Sequence, residues 1–234
     1  MGIYDEYNDL SLKMCGMHGH AAANYALQEA DCIIAIGSRF DDRTTGNVKK
    51  YAPKCKNFIH FNVEKSEFNK VVKSSYNILG KCEDTLPKLL YSIKKKSIWK
   101  YKEKYVNKKH KAWAERVISW KNEYPYKYKK LENNKIKTQD VLLELNNHIK
   151  YQSDNFIFTS GVGNHQMMST QYIKWKYPNR FISSGSLGVM GTGLPYAIGA
   201  QIANPNKKVI DIDGDSSFNM TATDLKTIVE NNLP

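Results

Sequence analysis

No two cysteines in this sequence form a Cys-x-x-Cys pair: Cys15, Cys32, Cys55 and Cys82 stand far apart. That spacing argues against a zinc site and against a disulfide scaffold, and reduced thiols in an intracellular compartment are the simplest reading. Long apolar runs are missing too; none approaches the roughly 18 residues that cross a bilayer. The opening MGIYDEYNDLSLKM lacks a basic n-region and an apolar h-region, so it is not read as a secretory signal. Asp5 and Glu6, close behind the Met-Gly start, make a poor myristoylation context. There is no Gly-x-Gly-x-x-Gly, which removes a plain nicotinamide-binding Rossmann protein. RRM, KH and zinc-knuckle signatures are absent as well.

The chain has 234 residues, 41% of them hydrophobic, enough for a packed core and for one large or two ordinary domains. Net charge is +12, with basic residues concentrated in Lys94–Lys130. Within that stretch Trp99, Val106, Trp113 and Trp120 recur at intervals of seven, with Val117 beside them. The expected reading is a long helix with a docked apolar stripe and a solvated lysine face. The alternative is a non-enzymatic, aromatic and basic nucleic-acid surface; no nucleic-acid partner is expected.

Helix and strand alternate along the rest. AAANYALQEA (Ala21–Ala30) is a strong helix former. CIIAIGS (Cys32–Ser38) and NFIHFNV (Asn57–Val63) read as buried parallel strands. A helix is expected from Asp84 through Ile93, with Pro87 in its first turn. Pro125–Lys137 is polar, charged and aperiodic, and reads as a linker. A second α/β unit starts at Thr138 with an amphipathic helix carrying Val141, Leu142, Leu145 and Ile149. FIFTSGVG, FISSGS and VIDIDGD follow as three strands that each end in small residues, and Met220–Asn232 reads as a closing helix. The fold class expected is α/β with two doubly wound parallel-sheet domains. The boundaries are 1–93, a basic linker helix and linker over 94–137, and 138–234.

Ligands of such folds bind where strand carboxyl ends face helix N-termini. DIDGDSS suits a magnesium ion against a diphosphate: one carboxylate, a permissive glycine, then small residues exposing N–H donors. The plainer reading is a strand-to-helix turn capped by Asp. The loop Gly185–Gly193 surrounds one bulky apolar residue, Met190, as a loop that approaches and wedges a cofactor would. GVGNHQMM offers Asn164 and His165 beyond another glycine turn. A lone histidine there is more often structural; beside two neighbouring strand-end loops it is read as a phosphate contact.

GVGNHQM, SSGSLGVMGTGLPYAIGAQIANP and VIDIDGDSSFNMT together resemble the diphosphate-binding domain of thiamine-diphosphate enzymes. More narrowly they resemble acetolactate synthase (acetohydroxyacid synthase) catalytic subunits, with a fungal-like GDSSFNMT. CGMHGHAAANYALQEADCIIAIGSRFDDRTTGN resembles the central, FAD-type domain of the same family. The GMHG and RFDDR strings argue against a pyruvate oxidase or glyoxylate carboligase, the nearest alternatives.

The resemblance implies thiamine diphosphate, Mg²⁺ and FAD as cofactors. Asp215 would be a Mg²⁺ ligand. Asn164, His165, Gly214, Ser216 and Ser217 would contact the diphosphate. Met190 would hold the cofactor bent, and Gly188 would meet its pyrimidine through the backbone. Met17, His18, Gly19, Gly37, Ser38 and Arg39 would line FAD, and Arg43 would lie by the 2-oxoacid channel. The implied reaction condenses two pyruvates, or pyruvate and 2-oxobutyrate, in branched-chain amino acid biosynthesis. The activating glutamate is expected upstream of this chain and a second metal ligand downstream of it, so no catalytic residue is assigned here and the chain alone is expected to be inactive. A homodimer or homotetramer with a regulatory subunit is implied, away from any membrane, in a mitochondrion or plastid, or otherwise in cytoplasm. Asn62 and Lys81 stand where acidic residues are usual in that family. His20 has no account from sequence.

Overall fold

A computed structural model describes residues 2–95, 98–132, 135–150 and 153–234, with side chains throughout these except 98–109 and 153. Two compact units divide the chain: Cys15–Pro125, and Met1–Met14 with Tyr126–Pro234.

The Cys15–Pro125 unit runs α1 (Ala21–Glu29), β1 (Cys32–Ile36), α2 (Asp42–Thr45), β2 (Asn57–Asn62), β3 (Tyr76–Leu79), α3 (Cys82–Lys95) and α4 (Ile98–Glu123). Its three strands are parallel and lie in sequential order β1-β2-β3, so this sheet winds in one direction. Ala35, Phe40 and Phe58 form its core, packed by Ile33, Tyr51, Val71 and Val72. His20, unexplained from sequence, is the N-cap of α1: its Nδ1 accepts the Ala22 N–H at 3.1 Å. An imidazole nitrogen here satisfies an otherwise orphan helix donor.

Two points differ from the sequence reading in this unit. β3 has no counterpart in the sequence reading. α3 begins at Cys82, so Pro87 lies inside the helix and not in its first turn. Its ring leaves one backbone acceptor unpaired, which an exposed helix with no buried residue tolerates by meeting water. Over its described side chains the apolar stripe of the basic stretch docks, as its spacing predicts. α4 packs along α1, with Tyr25 at 5.7 Å from Trp120 and 5.3 Å from Tyr124 between ring centroids. Val117 is buried, Trp113 meets Trp120 edge-on at 6.1 Å, and Arg116 lies over the Trp120 ring at 4.8 Å. Trp99 and Val106 of the same stripe fall outside the described side chains.

The second unit runs α5 (Thr138–Ile149), β4 (Phe156–Ser160), α6 (Asn164–Tyr172), β5 (Phe181–Ser183), α7 (Gly193–Ala203), β6 (Lys208–Ile212), α8 (Asp215–Asn219) and α9 (Leu225–Glu230). The sheet is parallel with order β5-β4-β6, so the winding reverses at β4. Phe156 and Phe158 of β4 face a cluster of Leu142, Ile149, Ile173 and Trp175. Each such side chain contributes about 2 kcal/mol by leaving water. Ile157 and Thr159 alternate to the other face, and α7 packs over β4 and β6. The expected closing helix is broken: α8 gives way to a 3₁₀ turn, Ala222–Asp224, before α9.

The irregular stretch after Pro125 is pinned to this unit. Tyr126 and Tyr128 both pack on the Tyr172 ring, and the Tyr128 hydroxyl donates to Asp140 at 2.6 Å. The N-terminal segment is pinned there as well. Glu6 N–H donates to Trp175 O at 2.9 Å, and Lys13 Nζ donates to Gln171 O and Ile173 O at 2.6 and 2.8 Å.

Candidate functional site

Three loops leave the same edge of the second sheet, one from the carboxyl end of each strand. Gly161–Gly163 joins β4 to α6, Ser184–Thr192 joins β5 to α7, and Asp213–Gly214 joins β6 to α8. With β4 central and the winding reversed around it, this edge is the topological switch point where open α/β sheets hold ligands.

Side chains tie the loops to one another. Gln166 Nε2 donates to Ser183 Oγ at 2.7 Å, and Ser183 Oγ donates to Ser160 O at 3.1 Å. Gly191 N–H donates to Ser217 Oγ at 3.0 Å, and Thr221 Oγ1 donates to Gly191 O at 2.9 Å. His165 Nε2 lies 3.1 Å from Asp213 Oδ1, a close contact off the N–H axis.

The sequence-predicted residues of this unit gather here. Asn164 is the first, exposed residue of α6. The His165 ring fills a slot between two glycines: a Cβ on Gly163 would stand 2.9 Å from its Cε1, and one on Gly214 would stand 2.8 Å from its Nδ1. Gly214 is the N-cap of α8, and Asp215 and Ser216 follow it exposed at the helix start. Ser217 is buried, with its hydroxyl engaged by Gly191 N–H. Gly188 has φ +66°, a left-handed turn that favours glycine. The same loop carries Leu187 and Val189 in solvent, and leaves Met190 38% exposed. Among the described residues no group of three or more His, Cys, Asp or Glu is placed to hold a metal; Asp215 stands as a single carboxylate.

Two carboxylates lie beneath the loops: half-buried Asp211, given no role from sequence, and Asp213, whose buried side chain the sequence reading took as a stabiliser of the turn. Asp211 Oδ1 accepts the Thr159 hydroxyl at 2.8 Å. Burial pushes the Asp211 carboxyl above its ordinary range, the neighbouring Asp213 charge adds to the rise, and the Thr159 hydrogen bond and His165 oppose it. Asp213 accepts Gly214 N–H at 2.9 Å, and its Oδ2 is buried without a hydrogen-bond partner. Alternation in V-I-D-I-D puts both aspartates on one face of β6, a signal available in the sequence. Glycines make that face possible. A Cβ on Gly161 would collide with Asp213 Oδ1 and Ser217 Oγ, and one on Gly193 would stand 2.6 Å from Asp213 Oδ2.

The first unit brings fewer of its predicted residues together. Met17 N–H donates to Arg43 O at 2.7 Å, and Arg43 Nη1 lies 3.7 Å from Met17 Sδ. Gly16, at φ +92°, packs so closely on Arg43 and Thr44 that a side chain there would collide with them. Gly19 N–H closes the turn on Gly16 O at 3.1 Å, leaving His18 within it. At the end of β1, Gly37 has φ +64° with open space beside it, and Arg39 is exposed. Ser38 O is bound by His60 Nε2 at 2.9 Å and by Asn62 Nδ2 at 3.4 Å. Asn62 Oδ1 in turn accepts Glu64 N–H at 3.0 Å, so the carboxamide is engaged at both ends.

Comparison with known proteins adds to this geometry. Residues 161–234 match the family model described as thiamine pyrophosphate enzyme, C-terminal TPP binding domain, and residues 1–89 match that of the thiamine pyrophosphate enzyme central domain. The chain is 42% identical over 243 residues to the mitochondrial acetolactate synthase catalytic subunit of Saccharomyces cerevisiae, which covers 100% of this chain and 34% of that protein. It is 41% identical to the corresponding subunit of Aspergillus candidus, with 100% and 34% covered, and 40% identical to the mitochondrial acetolactate synthase of Schizosaccharomyces pombe, with 100% and 35% covered. The chain thus spans about a third of the length of these relatives. The loops that match the cofactor-domain model are the ones gathered at the switch point, and the chain belongs to the thiamine pyrophosphate enzyme family, in its acetolactate synthase catalytic-subunit group.

Proposed function

We propose that this chain is the cofactor-holding part of an acetolactate synthase, joining two pyruvates, or pyruvate and 2-oxobutyrate, with loss of CO₂. The observation that carries the reading is the convergence of three strand-end loops, with free helix-start N–H groups and exposed Met190 around one edge. A diphosphate fits that edge: it is lined by the first turns of α6 and α8, whose N–H groups favour anions. Bound thiamine diphosphate supplies the nucleophilic carbon and the electron sink that the chain's own side chains lack.

The chain's residues bind and orient. Asn164, His165 and Ser216 face the diphosphate; Ser217, whose hydroxyl is engaged by Gly191, reaches it through its backbone, and Gly214, whose N–H is engaged by Asp213, lets it approach closely by having no side chain. Asp215 would be a protein ligand of Mg²⁺, a metal that commonly takes only one or two carboxylates beside phosphate oxygens and water. Gly188 would meet the cofactor through its backbone, and Met190, exposed at the edge, would pack against it and help fix its orientation.

FAD belongs to the same proposal, held by Met17, His18, Gly19, Gly37, Ser38 and Arg39, with residues 1–93 as the end of an FAD-type domain, 94–137 as connector and 138–234 as thiamine-diphosphate domain. Open space at Gly37 supports it; Asn62, engaged by Ser38 and Glu64, is not available for a cofactor hydroxyl. Arg43 would greet the 2-oxoacid carboxylate. The setting is a mitochondrion or plastid, within a homodimer or homotetramer joined by a regulatory subunit.

Isothermal titration of the chain with thiamine diphosphate tests the reading. Saturable, Mg²⁺-dependent binding is expected, weakened at least about tenfold in Asp215→Ala. Binding that ignores Mg²⁺ or survives that substitution overturns the assignment of the edge.

A further inference from the structure

Asp213 is a buried acid that the cofactor reading leaves without a role. Its side chain is 5% exposed, and one oxygen touches two loops at once. Oδ1 accepts Gly214 N–H at 2.9 Å and stands 3.1 Å from His165 Nε2. The carboxylate has no room to swing away. Gly161 and Gly193 press on it so closely that a methyl group at either would strike it. The imidazole is equally confined, wedged between the backbones of Gly163 and Gly214. One carboxylate thus joins the α6 loop to the α8 loop, and the groups read as facing the diphosphate adjoin its two contacts: Asn164 and His165 on one side, Asp215 and Ser216 on the other.

We propose that Asp213 is a positioning residue. Through His165 Nε2 and the Gly214 N–H it sets the two helix starts in register before the cofactor arrives, so that binding does not pay for ordering them. A simple turn stabiliser would need only the Gly214 bond and would be indifferent to His165. The inference rests on the reading of this edge as the thiamine-diphosphate site.

A double-mutant cycle on the full chain tests it, read as thiamine diphosphate affinity in Mg²⁺. Asp213→Ala is expected to weaken binding at least about tenfold, because it leaves buried partners unmatched. In a His165→Ala background the same change is expected to cost less than about threefold more. Asp213→Asn keeps an acceptor for both contacts and is expected to stay within about threefold of the parent. Independently, ¹⁵N spectra of the ligand-free chain are expected to show the His165 proton on Nε2 in the parent and in Asp213→Asn, with that preference lost in Asp213→Ala. Additive losses in the cycle, or a His165 proton on Nδ1 in the parent, overturn the proposal. If Asp213→Ala does not fold, the Asn variant and the parent spectrum decide. A parent chain that binds no thiamine diphosphate overturns the cofactor reading and this proposal together; binding with additive losses overturns the proposal alone.

Discussion

Glycine at 161 and glycine at 185 look alike in the sequence and differ sharply in what surrounds them. Gly161 lies against Asp213 and Ser217, while a Cβ at Gly185 meets nothing within 4 Å. Gly161→Ala is therefore expected to destabilise the chain by about 2 kcal/mol or more through overpacking, and Gly185→Ala to stay within about 0.5 kcal/mol; paired thermal melts check both. Asp211 gives the pH counterpart. Its folded carboxyl is raised above the ordinary value of 3.8, so the fold favours the protonated form. Stability from this site is then fullest below the ordinary value and declines as pH rises through the folded one. Thr159→Val removes the hydroxyl that opposes the rise, so the decline should steepen and shift to higher pH. Melting temperatures of parent and variant, compared from about pH 4 to pH 7, should diverge as pH rises; parallel curves would contradict the assignment. These details were only half legible in the sequence. The glycines and the aspartate pair can be read there, but that Asp213 meets His165 depends on β4 and β6 lying side by side.

At the scale of elements, what could be read followed from local signals. β1 and β4 are apolar-rich runs closed by small residues, β2 and β6 are apolar-rich with polar interruptions, and α5 starts at Thr138 as its periodicity requires. β3 is four residues with no clean alternation, and α6, NHQMMSTQY, buries Ser169 and Thr170 and has no apolar stripe to find. Its position is set by long-range contacts instead. Lys13 donates to two carbonyls at its C-terminal end, where a cation opposes the helix dipole. Lys13→Met is expected to cost about 1–2 kcal/mol and to speed proteolytic release of the first residues. The α1–α4 pair gives a second test. Trp120 is half-buried against Tyr25, whereas Trp113 is 37% exposed. Trp120→Ala is expected to lower stability by about 2 kcal/mol or more and Trp113→Ala by clearly less. A nucleic-acid platform would instead need Trp120 in solvent.

For the whole molecule, the decisive feature is apolar surface left open on a parallel sheet. Such sheets are ordinarily covered on both faces. In the first unit Ile34 and Ile36 of β1 are each 51% exposed and lie on one face, since alternate residues share it. The register carries the strip across the sheet, with Ile34 opposite Ile59 and Ile59 opposite Tyr76, itself 60% exposed. Contiguous apolar area of this kind marks an interaction surface or a route to aggregation. The net charge of +12 opposes self-association by repulsion that salt screens within about 8 Å at physiological strength. The two effects together fix an expectation for the purified chain. It should bind an environment-sensitive dye such as ANS while still melting cooperatively, and its association should rise with added salt. Ile36→Lys places charge in the strip without touching the buried cluster of Ala35, Phe40 and Phe58. It should reduce both dye binding and salt-induced association, with a change in stability of less than about 1 kcal/mol. Light scattering across a salt series measures the association, and equal scattering from parent and variant would mean that the apolar strip is not the surface through which the chain associates.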